Sequence, residues 1–146
     1  MFPFFLGKQT KLAIPKKVIY SISSDIGTLC NRPMGMQSGR LRNHMITASS
    51  QWDANHAAHR ARLHGRRRGR YMGAWSSKYN TRYQWLQVDF GGAAKIIRIS
   101  TQGRQDANQW VTQYYVSHSL DRVHFAEYKE RNNRKVIIFV FLAPYL

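Results

Sequence analysis

Residues 84–90 constrain this chain more than any other stretch. Gln84-Trp85-Leu86-Gln87-Val88-Asp89-Phe90 alternates strictly: Leu86, Val88 and Phe90 fall on one face, Trp85, Gln87 and Asp89 on the other. Side chains of an extended chain point to opposite faces in turn, so a period of two marks a half-buried strand. Gly91-Gly92 is a turn signal after it. Residues 95–101, 111–119 and 124–128 read as three further strands, and Leu120-Asp121-Arg122 as the turn between the last two. Thr47-Ala48-Ser49-Ser50 reads as a strand end entering a loop. The chain is therefore expected to be all-β, with consecutive strands paired antiparallel. Leu86, Val88, Phe90, Ile97 and Ile99 are the expected core, and Tyr114, Val116 and His118 share a face of the third strand.

At 146 residues the chain allows one domain with short flanks. Its 43% hydrophobic and 13% aromatic content can supply a core, which excludes a disordered composition. Charge is the outlier. Twenty-three Lys and Arg against seven Asp and Glu give +16, a balance that favours polyanionic partners without bearing on fold. Six of the arginines, Arg60, Arg62, Arg66, Arg67, Arg68 and Arg70, lie within residues 60–70.

Residues 1–29 read as an N-terminal flank broken up by Pro3 and Pro15. The apolar patch Phe2, Phe4, Phe5, Leu6 is too short for the core of a secretion signal, and no basic segment precedes it. Residues 136–146 form an apolar tail too short to span a bilayer, so neither an export signal nor a transmembrane segment is expected. The single cysteine, Cys30, cannot close an internal disulfide.

Several short segments then resemble one family in order and spacing. Cys30-Asn31-Arg32-Pro33-Met34-Gly35-Met36-Gln37-Ser38-Gly39, Ile46-Thr47-Ala48-Ser49-Ser50, Ala61-Arg62-Leu63, Ala74-Trp75, Trp85-Leu86-Gln87-Val88-Asp89-Phe90-Gly91, Thr101-Gln102-Gly103-Arg104 and Trp110-Val111-Thr112 resemble the discoidin, or coagulation factor V/VIII C-type, domain. The resemblance covers residues 30–135. It implies a jelly-roll-like sandwich of two antiparallel sheets, with ligand-binding spike loops at one end, in a secreted or cell-surface, non-enzymatic protein. It also implies that Cys30 pairs with a final cysteine of the family domain. Here the pattern stops near Val136 and that partner is absent, so an incomplete domain is expected.

Spike one corresponds to residues 51–56. Trp52 either packs into the sandwich end or stands exposed, where its amphipathic ring can stack on a sugar or wedge among lipid heads. Asp53, Asn55 and His56 offer hydrogen bonds beside it. Spike two, residues 104–109, offers Gln105, Asp106 and Asn108 beside Trp110. The loop after Trp75 adds Tyr79 and Asn80; Asn80 stands where some relatives place an acid, which argues against recognition of a cationic group. Asp53 or Asp106 is the candidate carboxylate for a calcium ion, though one acid per loop is thin. His56, His59 and His64 are irregularly spaced and read as solvated loop histidines, so no metal site is assigned. Trp75, Trp85 and Asp89 read as structural, Asp89 pairing with an arginine such as Arg62 or Arg104.

No Gly-x-Ser-x-Gly, His-Glu-x-x-His, P-loop or Gly-x-Gly-x-x-Gly pattern occurs, so no catalytic residue is assigned. The leading expectation is an adhesion or lectin-like module for a cell-surface glycan, a phospholipid head group or a matrix protein. The alternatives are an acidic polymer (heparan-type glycan or nucleic acid) held by the arginines of residues 60–70, and a fragment without function.

Overall fold

The computed structural model describes residues 2–6, 18–19, 33–96, 98–130, 133–134 and 137–138. Cys30, expected to lack its disulfide partner, and Ile97, an expected core position, lie outside the described residues. Among the described residues the strands are β1 (Phe2–Leu6), β2 (Val18–Ile19), β3 (Ile46–Ala48), β4 (Leu86–Val88), β5 (Arg98–Ile99), β6 (Gln113–His118), β7 (Ala126–Glu127), β8 (Lys129–Glu130), β9 (Asn133–Arg134) and β10 (Ile137–Ile138). Every pairing between them is antiparallel. The largest sheet runs β10-β6-β1-β4-β3, with β7 also on β6.

The strand from residues 84–90 forms as expected, but its backbone ladder is confined to Leu86–Val88. At each end the bonding changes partner. Asp89 N–H donates to the Met45 carbonyl at 2.8 Å, and Trp85 N–H donates to the Ser49 hydroxyl at 3.0 Å. The pairing order departs from the expectation. β4 and β5 are consecutive yet unpaired; β4 lies between β3 and β1, registering Ile46 and Phe2 on either side of Val88. β1 in turn carries Phe4 opposite Val116 of β6. Gly91, at a φ of +74°, thus serves a turn that carries the chain out of the sheet instead of closing a hairpin.

Leu86 and Val88 are buried, together with Met36, Leu41, Ile46, Ala58, Ala61, Trp75, Val111, Tyr114 and Val116. Phe90 and Ile99 are half-buried against this cluster. On β6 the alternation holds for Tyr114 and Val116 and ends before His118, which is exposed. Burial pushes the Tyr114 hydroxyl up to about pKa 12.

The segment between β3 and β4 reads in sequence as long loops, yet it supplies three of the core residues. Two short 3-10 turns, Ala54–His56 and Ala58–Arg60, tuck Ala58 and Ala61 inward. Trp75 is fully buried and donates its indole N–H to the Ser50 carbonyl at 2.8 Å, which removes the cost of burying that donor. Arg62 fastens the segment to residues 36–43. Its guanidinium donates to the carbonyls of Met36 and Leu41 and to Asn43 Oδ1, each at 2.8 Å. Asp89 therefore pairs with neither expected arginine. It meets Arg122 at 2.8 Å, because Arg62 is spent on carbonyls and Arg104 on Asp106.

Candidate functional site

Spike one is built around a capped turn. Asp53 Oδ1 accepts from the backbone N–H groups of Asn55 and His56 at 2.8 and 3.0 Å, and meets His56 Nδ1 at 2.6 Å. A carboxylate at the start of a helical turn satisfies donors that have no internal partner. The His56 ring foremost, aided by those N–H groups, holds the Asp53 carboxyl below its ordinary pKa. His56 is buried at 9% exposure, not solvated. Trp52, just before the cap, is turned outward at 64% exposure while its N–H is anchored on the Ser76 carbonyl at 2.8 Å.

Spike two is held by one side chain. Arg104 grips Asp106 with Nε at 2.6 Å and Nη2 at 3.1 Å, reaches Gln109 Oε1 with Nη1 at 2.9 Å, and touches Met72 Sδ at 3.0 Å. The backbone closes in parallel, with Arg104 N–H donating to the Gln109 carbonyl at 2.8 Å. The guanidinium holds the Asp106 carboxyl below its ordinary pKa. A forked donor on a carboxylate fixes orientation as well as charge.

Between the two spikes lies a cavity of about 390 Å³. Trp52, Lys78, Asn80, Arg104 and Gln109 form its walls, with His56 and the buried Ser76 and Ser77 at its base. The structure thus brings Trp52, His56 and Asn80 together from the residues selected in sequence. Asp53 and Asn55 stand behind Trp52 in the capped turn. Tyr79 is 55% exposed on the neighbouring rim, with the Lys78 ammonium 5.5 Å from its ring centre. Gln105 and Asn108 are exposed on spike two, Asp106 is committed to Arg104, and Trp110 is half-buried beside them. Lys78, Arg104 and Gln109 were not among the selected residues. All three adjoin or bound loops that were singled out, but only the fold shows which way those loops face. Asp53 and Asp106, the candidate calcium ligands, are each engaged by a neighbour, and the described residues contain no group of three metal-ligating side chains.

The arginine-rich stretch forms a second feature. Arg68 and Tyr71 exchange backbone hydrogen bonds at 2.9 and 3.1 Å around a tight turn, with Gly69 at a φ of +58°. At the base of this hairpin Gly65 and Gly73 cross so closely that a Cβ on either would overlap the other's carbonyl. Arg60 and Arg70 lie 4.3 and 5.2 Å from the centre of the Tyr71 ring. Arg66, Arg67, Arg68 and Arg70 are exposed; Arg62 is the structural exception described above. The hairpin overhangs a cavity of about 670 Å³ whose walls include His59, Arg60, Arg66, Arg67 and Arg68. Burial first, then Arg60 and Arg62, hold His59 below its ordinary pKa.

Among the described residues no helix is long and apolar enough to cross a membrane. A family model for the F5/8 type C domain matches residues 45–142. Retinoschisin from Mus musculus is 38% identical over 112 residues, 71% of this chain and 49% of that protein. Coagulation factor V from Sus scrofa is 35% identical over 116 residues, 75% of this chain and 5% of that protein. Lactadherin from Rattus norvegicus is 34% identical over 115 residues, 73% of this chain and 26% of that protein. The chain thus spans half or less of the length of these relatives. No solved structure gives a significant match. The segments that resembled discoidin domains in sequence, the antiparallel strands and the family match all concur: the chain belongs to the F5/8 type C, or discoidin, domain family.

Proposed function

We propose that this domain is a non-enzymatic, extracellular binding module that engages a cell surface through the groove between its spikes. The ligand is an anionic head group, on a phospholipid or an acidic glycan. The observation that carries this reading is Trp52, a large aromatic side chain 64% exposed at the mouth of a cavity walled by Lys78 and Arg104. An exposed tryptophan supplies wide contact area with few rotors to freeze, and seats well at the boundary between apolar and aqueous phases. Lys78 supplies a mobile positive charge, and the amides of Asn80 and Gln109 supply directional bonds. Family membership supports the extracellular, binding character of the reading.

Vesicles containing phosphatidylserine, vesicles of phosphatidylcholine alone and an immobilised acidic glycan test it. Trp52→Ala should weaken binding to the anionic surface by about tenfold or more. Its stability should stay within about 0.5 kcal/mol of the parent, because the ring is exposed. Equal binding by parent and variant, or unfolding of the variant, overturns the assignment.

A further inference from the structure

We infer that the arginine hairpin is a second, separate binding site, and that its ligand is a sulfated polysaccharide. The hairpin is built instead of merely charged. Its tip is closed by the Arg68–Tyr71 backbone pair, its base by the Gly65–Gly73 crossing, and its flank by Arg60 against Tyr71. Arg67 Nε–H donates to the Gly69 carbonyl at 3.0 Å, within the same turn. Guanidinium groups held on such a frame lose less freedom on binding than groups on a mobile loop.

Arg66, Arg67 and Arg68 face the cavity of about 670 Å³, and none of them forms an ion pair with an acid among the described residues. That volume accommodates a length of sugar chain and not a bare ion alone. Arg60 lines the same cavity, with its guanidinium 4.3 Å from the centre of the Tyr71 ring. Planar guanidinium forks match the oxygen geometry of sulfate as they do that of phosphate.

The same observations disfavour other polyanions. Single-stranded nucleic acid is held by stacking its bases on aromatic faces. Among the described residues the cavity wall carries no Trp, Phe or Tyr, its only rings being the imidazoles of His59 and His64, and the nearby Tyr71 ring is already engaged by Arg60 and Arg70. A membrane surface calls for an exposed apolar wedge beside the charges. The aliphatic residues at this cavity, Leu63 and Met72, are buried and half-buried.

The full 146-residue chain is titrated with heparin-derived oligosaccharide, with its desulfated counterpart, with a single-stranded RNA and with phosphatidylserine vesicles, across salt concentrations. The sulfated oligosaccharide should bind and its desulfated form should not. Replacing Arg66, Arg67 and Arg68 together by Ser should lower affinity at least tenfold and reduce the log–log salt slope by about 2 to 3, since each contact releases about one counterion. Removing the same charge elsewhere, with Lys95→Ser, Arg98→Ser and Lys129→Ser, should change affinity less than threefold. Arginine modification of the intact parent protein by phenylglyoxal gives a readout independent of variant folding: the oligosaccharide should protect the hairpin. An unchanged slope in the hairpin variant, equal losses in both triple variants, absence of protection, or loss of hairpin-dependent preference for sulfated sugar over RNA and vesicles overturns the inference. No residue of the spike groove is replaced in these variants, and the Trp52 test is decided on phosphatidylserine vesicles, so the two results are separable.

Discussion

Gly65 and Gly73 show how much a single missing side chain decides here. Their backbones cross at the root of the arginine hairpin, where a Cβ on Gly73 would overlap the Gly65 carbonyl oxygen and carbon and the Arg66 Cα. Backbone cannot rotate out of the way as a flexible side chain can. Gly73→Ala should therefore destabilise the fold by about 1–3 kcal/mol in urea unfolding, the range seen when extra volume is forced into a packed site. At Gly69 the space is open and only the positive φ resists substitution, so Gly69→Ala should cost about 1 kcal/mol. Equal effects at both positions would show that the crossing is not close. Neither role was legible in the run Gly65-Arg66-Arg67-Arg68-Gly69-Arg70, which reads as charge. The buried faces of Leu86 and Val88 were legible, because a period of two needs no knowledge of the partner strand. The partner of Asp89 was not, because choosing among arginines takes distances. Arg62 lay in a basic run and proved to be a carbonyl clamp, and nothing local separates those two fates.

Among the elements, the spikes differ in how they are held. Spike one is a capped turn in which one carboxylate gathers two backbone donors and an imidazole. Spike two depends on Arg104. With Asp106 ionised, the guanidinium ties the two ends of loop 104–109 together. Asp106→Asn removes half of that grip. Amide exchange at Arg104 and Gln109 should accelerate by about tenfold while the melting temperature moves little, since local opening is set by local contacts. The pH dependence has a fixed sign. Asp106 is easier to ionise in the folded chain than in the unfolded one, so the clamp is complete above the ordinary carboxyl value of 3.8 and is lost as pH falls through the depressed one. In the parent protein, exchange corrected for its intrinsic rate should rise in that acid range, and in Asp106→Asn the rise should be absent. A loop that exchanges alike in both proteins would remove Arg104 from its assigned role. The spikes were found in sequence through resemblance to known domains. The groove-lining residues Lys78, Arg104 and Gln109 were not, because loop residues have no period from which to read a direction.

The whole molecule is tied together by pairings distant in sequence. β4 lies between β3 and β1, and β1 lies between β4 and β6, so residues at the start of the chain join two strands far along it, Phe2 opposite Val88 and Phe4 opposite Val116. Local alternation identified β4 and β6 but gave no sign that Phe2–Leu6 separates them, because pairing across such distances leaves no local trace. Each edge of β1 supplies backbone hydrogen bonds to a neighbour, and removal of the strand would leave β4 and β6 with facing, unpaired edges. Such edges recruit strands from other molecules. Deletion of residues 1–6 should lower the urea midpoint and shift the protein from monomer to larger species in size-exclusion chromatography. A synthetic peptide spanning residues 1–8, added in excess during refolding, should restore the monomer by filling the vacant position. The deletion retains both the spike loops and the arginine hairpin, so any binding lost with it and regained with the peptide is lost through the sheet. A deletion variant with the parent's midpoint and elution volume would show that β1 contributes nothing to closing the sheet.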